Sequence, residues 1–86
     1  MRLIWSDRSW DEYVDWQNKD KKVLKKINSL LKDIKRDPYE GIGKPEPLKY
    51  ELAGCWSRRI ADEHRLVYEV NDFDINIVSC KYHYGG

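Results

Sequence analysis

The sequence predicts an α+β fold, with two N-terminal helices packed on a twisted, mainly antiparallel sheet in the order β-α-α-β-β-β-β. Three observations predict it. An apolar stripe at helical spacing runs through residues 23–34, strand-like alternation fills the chain from residue 48 onward, and a break rich in proline and glycine separates the two. Helices gathered ahead of a run of strands are the pattern of a two-layer α+β domain.

Arg2-Leu3-Ile4-Trp5 reads as a short first strand. Ser6 is placed to cap the first helix, in which Trp10, Tyr13, Val14 and Trp16 recur near helical spacing. Asp20 is placed to cap the second helix. There Val23, Leu24, Ile27, Leu30, Leu31 and Ile34 form one continuous apolar face. Asp37-Pro38 ends it, because a residue before proline avoids the α region. Residues 38–47 then hold three prolines and two glycines and read as a loop. Four strands are expected beyond it. Leu48, Tyr50 and Leu52 share a face before a turn at Ala53-Gly54. Trp56, Arg58 and Ile60 share a face before a turn at Asp62-Glu63-His64. Leu66, Tyr68 and Val70 precede a turn at Asn71-Asp72, and Ile75 and Ile77 open a last strand running towards Tyr84. Trp5, Trp10 and Trp56 sit in apolar patterns and are expected in the core.

A chain of 86 residues is read as one domain with a thin core, spanning 1–86. Its apolar runs are too short to span a membrane, and the N-terminus turns polar too early for an export signal. A cytoplasmic protein with reduced Cys55 and Cys80 is therefore expected. The net charge of +1 hides local asymmetry: residues 19–36 carry seven Lys and one Arg against two Asp. Such a basic helix suits a polyanion, although a solvated helix face has the same composition. Cys55, His64, Cys80 and His83 contain no close ligand pair, so neither a metal nor another cofactor is expected. No phosphate-cradling glycine loop and no nucleophile elbow is present.

Three constellations could carry chemistry. In Lys44-Pro45-Glu46-Pro47-Leu48-Lys49, a proline on each side restricts Glu46 to extended backbone. A carboxylate held this way suits a general base; a stiff crossover with a solvated acid would look the same. Arg58, Arg59 and Arg65 lie across one expected hairpin, where arginine can grip a phosphate or pair with Asp62, Glu63 or Glu69. The chain closes on Lys81-Tyr82-His83-Tyr84-Gly85-Gly86. A terminal histidine is suited to proton transfer, and tyrosines beside it can stack on an unpaired base.

In order along the chain, Leu3-Ile4-Trp5-Ser6, Lys44-Pro45-Glu46-Pro47-Leu48-Lys49, Trp56-Ser57-Arg58-Arg59-Ile60, Glu63-His64-Arg65-Leu66-Val67-Tyr68 and Lys81-Tyr82-His83-Tyr84 resemble the YoeB/Txe branch of the RelE superfamily. The resemblance covers residues 1–84. It implies the microbial-ribonuclease-like RelE fold and a type II toxin that cleaves mRNA in the ribosomal A site without a metal. By that resemblance Glu46 matches the general base, His83 the general acid, Arg65 the group that stabilises the phosphorane, and Tyr84 the aromatic that orients the substrate. Lys49 and Arg59 match basic positions near the phosphate, and Glu63 lies near the site. Gly85-Gly86 extend past the tyrosine at which family members commonly end. Lys22, Lys25 and Lys26, on the polar side of the second helix, are candidates for contact with ribosomal RNA. Implied partners are the ribosome and mRNA, a cognate antitoxin partly disordered when free, and a second copy of the toxin. Two other functions fit the charge pattern: a non-catalytic ribosome or RNA binder that blocks translation by occupancy, and a promoter-binding repressor subunit. The second lacks a recognisable helix-turn-helix.

Overall fold

A computed structural model describes residues 1–82. The elements run β1 (Arg2–Trp5), α1 (Asp7–Lys19), α2 (Lys21–Arg36), β2 (Glu46–Pro47), a 3₁₀ turn (Tyr50–Leu52), β3 (Cys55–Ala61), β4 (His64–Val70) and β5 (Asp74–Ser79). They form one five-stranded sheet in the order β1-β5-β4-β3-β2. β1 runs parallel to β5 and every other pair is antiparallel, so the expected element order and sheet type hold.

The helix ends are set where the sequence places them. The Ser6 hydroxyl accepts the Ser9 N–H at 3.1 Å, and the Ser9 hydroxyl accepts the Ser6 N–H at 3.0 Å. Asp20 accepts from the N–H groups of Lys22 and Val23. Asp37 closes α2. The α2 stripe buries Ile27, Leu30, Leu31 and Ile34 against Ile60, Leu66, Tyr68, Ile75 and Ile77 of the sheet. Each fully buried aliphatic side chain contributes about 1.5–3 kcal/mol, and this seam joins the two layers.

Four expectations need correction. On α1 the buried residues are Ser9 and Trp16, while Trp10 is 48% exposed and Val14 is exposed. Trp10 sits one position, about 100° of helix, beyond the buried line through Ser9 and Trp16. It packs instead in a surface ring cluster with Trp5 and Tyr13. Trp5 and Trp56 are half-buried and pack against the core. The expected strand through Leu48, Tyr50 and Leu52 is also displaced. The ladder is made by Glu46–Pro47, and Tyr50–Leu52 curls into the 3₁₀ turn, with Tyr50 at φ +58° and 89% exposed. Pro47 has no N–H to donate, which suits a short edge strand. His64 belongs to β4 and not to the turn before it. Lastly, β5 ends at Ser79, and residues 80 and 81 are held by α1.

Both cysteines are buried free thiols. Burial pushes the Cys80 thiol up to about 12, so it is protonated and inert at neutral pH. Among the described residues, no helix is long and apolar enough to cross a membrane.

Candidate active site

The face of the sheet opposite the helices is assembled by register. Glu46 lies opposite Ser57, and Arg59 lies opposite Arg65. Ser57 and Arg59 are two apart on β3, so cross-strand pairing puts Glu46, Arg59 and Arg65 on one face. Arg58, of opposite parity, points to the helix side and is fully buried. Standard strand spacing and rise put Glu46 and Arg65 about 12 Å apart at Cα, room for a ribose-phosphate between two long side chains. Ser57, Val67 and Ser79 follow in one cross-strand row beside Glu46, and all three are buried.

Arg65 is oriented by the turn it follows. Its Nη1 donates to the carbonyls of Ala61 at 3.2 Å, Asp62 at 3.4 Å and His64 at 3.3 Å. Among the described residues no other guanidinium nitrogen of Arg65 is engaged, which leaves Nε and Nη2 for a phosphate. The Arg65 N–H donates to the Tyr82 carbonyl at 3.0 Å, which ties residue 82 beside it. Lys49, Glu46, Arg59 and Glu63 are exposed, and Glu63 Oε1 lies 3.5 Å from His64 Nε2. His83 and Tyr84 lie outside the described residues.

Arg58 sets the position of the loop that presents Glu46. Its guanidinium donates to the Asp33 carboxylate, the Tyr68 hydroxyl and the carbonyls of Asp37, Glu40 and Ile42. Asp33 also accepts from Arg36 and from the Ile42 N–H. Arg36 and then Arg58 hold the Asp33 carboxyl well below its ordinary range. Gly43, at φ +79°, lets the loop close on β3: its carbonyl accepts the Arg59 N–H at 2.6 Å, and a Cβ there would meet Leu30 Cδ2 at 2.6 Å. The chain then enters Pro45-Glu46-Pro47 through Lys44 at φ +51°. A non-glycine residue held there marks strain of the kind that collects at functional sites.

Arg58, expected to grip a phosphate or to pair with Asp62, Glu63 or Glu69, is instead buried on Asp33, Tyr68 and the carbonyls of residues 37–42. Its parity with Trp56 and Ile60 was the available sign that it faces inward. Lys22 and Lys25 are exposed and Lys26 is half-buried on α2, the layer opposite Glu46 and Arg65, so the structure does not bring them to this site. No group of three or more His, Cys, Asp or Glu able to hold a metal occurs among the described residues.

A family model described as "YoeB-like toxin of bacterial type II toxin-antitoxin system" matches residues 5–84. The chain belongs to the YoeB toxin family. It is 61% identical over 84 residues to Toxin YoeB of Escherichia coli K12, covering 98% of this chain and 100% of the relative. Two solved Staphylococcus aureus structures are each 54% identical, with 98% of both chains covered, and superpose with TM-scores of 0.91 and 0.89. The first is described as a YoeB dimer and the second as a heterotetrameric YoeB-YefM toxin-antitoxin complex. This YoeB-family chain is thus a type II toxin with an α+β fold of the RelE kind.

Proposed function

We propose that the chain is a ribosome-dependent endoribonuclease that cuts mRNA in the ribosomal A site by general acid–base catalysis. The observation that carries this is one face bearing Glu46, Arg59 and Arg65, with the residue before His83 bonded to Arg65. RNA brings its own nucleophile, so a base, an acid and positive charge suffice. Glu46 takes the proton from the ribose 2′-hydroxyl. The 2′-oxygen attacks phosphorus, Arg65 and Arg59 stabilise the doubly charged phosphorane, and the bond to the 5′-oxygen breaks. His83 gives that oxygen a proton, and the products are a 2′,3′-cyclic phosphate and a 5′-hydroxyl. Tyr84 orients the substrate, Lys49 adds charge near the phosphate, and Glu63 borders the site.

The chain is proposed to act as a single domain in the cytoplasm, neutralised by a cognate antitoxin as the staphylococcal relative is paired with YefM. It is also proposed to form a homodimer, as the other relative does. The exposed Trp10 cluster is an aromatic surface suited to that contact.

The deciding experiment uses ribosomes programmed with mRNA carrying one 2′-deoxy nucleotide at the cut site. Cleavage there is expected to vanish while binding remains. Wild-type cutting of that substrate would exclude the 2′-hydroxyl mechanism, and binding without any cleavage of normal mRNA would favour a blocking protein.

Chemistry and docking are expected to separate. Changing Lys22, Lys25 and Lys26 together to Gln removes charge from the helix layer. It should weaken ribosome binding and lower its salt slope by about 2–3, since each lost phosphate contact removes close to one unit. Cleavage at saturating toxin should persist. Arg65→Ala should bind normally and lose single-turnover cleavage by roughly 10²–10³-fold, the worth of one donor to a developing anion. Binding titrations at several salt concentrations, run beside single-turnover kinetics, check both.

A further inference from the structure

His64 holds a backbone group through a nitrogen that must carry a lone pair. Its side chain is 12% exposed at the start of β4. Nδ1 accepts the Tyr82 N–H at 2.8 Å. The next residue, Arg65, donates its own N–H to the Tyr82 carbonyl at 3.0 Å. Two consecutive residues of β4 therefore grip both backbone polar groups of residue 82. Tyr82 is held at φ +62°, a conformation an L-residue keeps only when its surroundings impose it.

The hold on the preceding residues comes from elsewhere. The Trp16 indole donates to the Cys80 carbonyl at 2.9 Å, the Cys80 N–H donates to Glu12 at 2.8 Å, and Lys81 pairs with Asp15 at 3.0 Å. α1 thus fixes residues 80 and 81, and β4 takes over at residue 82. The next residue in the chain is His83.

We propose that His64 is a positioning residue that fixes Tyr82 beside Arg65, and that it does so only as a neutral imidazole with its proton on Nε2. This rests on the endoribonuclease reading for its effect on rate. A backbone N–H can only donate, so Nδ1 must accept, and the ring's proton then lies on the nitrogen facing Glu63. Protonation of Nδ1 sets one donor against another and opens the clamp. The ring itself stays in place, because it packs edge-on against Trp16 at 4.8 Å and beside Tyr82 at 5.2 Å. The charged groups around it are Glu63 from the β3–β4 turn, Arg65 next along β4, and Lys81, whose ammonium lies over the Trp16 and Tyr82 rings with Asp15 of α1 behind it.

The test follows the Tyr82 amide by NMR in the full chain, beside single-turnover cleavage. In wild type the Tyr82 amide should be protected from exchange by its bond to the His64 ring. His64→Phe keeps an aromatic ring but no acceptor. It should raise Tyr82 amide exchange by at least ~10-fold through loss of local protection. It should also slow single-turnover cleavage by roughly 10–10²-fold through misplaced catalytic groups, with ribosome binding unchanged. His64→Asn offers an oxygen acceptor that does not titrate. It should restore Tyr82 protection and most of the rate. Equal Tyr82 protection in His64→Phe and wild type would overturn the proposal, as would a Tyr82 amide left unprotected in folded His64→Asn. If His64→Phe does not fold, His64→Leu, which also lacks an acceptor, and His64→Asn decide. Should wild type fail to cut ribosome-bound mRNA, the activity reading falls, and the amide measurements still judge the clamp.

Discussion

Glu46→Gln is expected to slow single-turnover cleavage by ~10²–10⁴-fold, the usual worth of one positioned proton-transfer group. The change removes a base and keeps the side chain's size. Glu46 is exposed at the sheet edge, and its place is set by the ladder opposite Ser57 and by the prolines on either side, none of which involves the carboxylate. Stability should therefore shift by no more than about 0.5 kcal/mol, as for an ordinary surface substitution. Ribosome binding should be retained. On the same mechanism His83→Gln slows protonation of the 5′-oxygen, and combining the two should cost less than the product of their separate effects, because both groups act in one step. Thermal melts beside single-turnover assays at saturating ribosome decide the matter. Full cleavage by folded Glu46→Gln would remove Glu46 from the base role.

Arg58→Met is expected to be the most destabilising single change. The side chain is 0% exposed and serves five acceptors at once: Asp33, Tyr68 and three carbonyls of residues 37–42. Methionine matches much of the volume and none of the donors. Losing one member of a buried charged network costs on the order of 3 kcal/mol. For a domain of this size that lowers Tm by roughly 10–25 °C. Arg58→Lys should fall between, since an ammonium has three donors and lacks the planar fork. The same network gives a signed dependence on pH. The folded Asp33 carboxyl titrates below its ordinary value of 3.8, held there by Arg36, Arg58 and the Ile42 N–H. Its contribution is complete above that ordinary value and is lost as pH falls through the depressed folded one. Tm should fall in acid, and Asp33→Asn should flatten the part of that fall due to this carboxyl. Circular-dichroism melts from neutral pH down into strong acid test both. An Arg58→Met variant as stable as wild type would remove the anchoring role given to this residue.

The sequence by itself determined the element order, both helix caps, the α2 core face and the sheet's position after the helices. These follow from short-range causes: the period of apolar residues, side chains that cap the next turn, and proline's missing donor. It also picked out Glu46, Arg59 and Arg65, which the register places on one face. Tertiary structure alone decided the rest. Parity with Trp56 and Ile60 already put Arg58 on the apolar face of β3, but its partner Asp33, 25 residues away, is met only once α2 covers that face. Trp10 matched an apolar period yet faces outward, because the buried line of α1 passes through Ser9 and Trp16. The strand expected at Leu48, Tyr50 and Leu52 gave way to Glu46–Pro47 because the loop's closure on β3, through Gly43 and Arg58, fixed where pairing begins. His64 read as a turn residue, since its partner, the Tyr82 N–H, is 18 positions further on. Local sequence carries propensity and period, whereas a hydrogen bond between distant segments exists only once the sheet has brought them together.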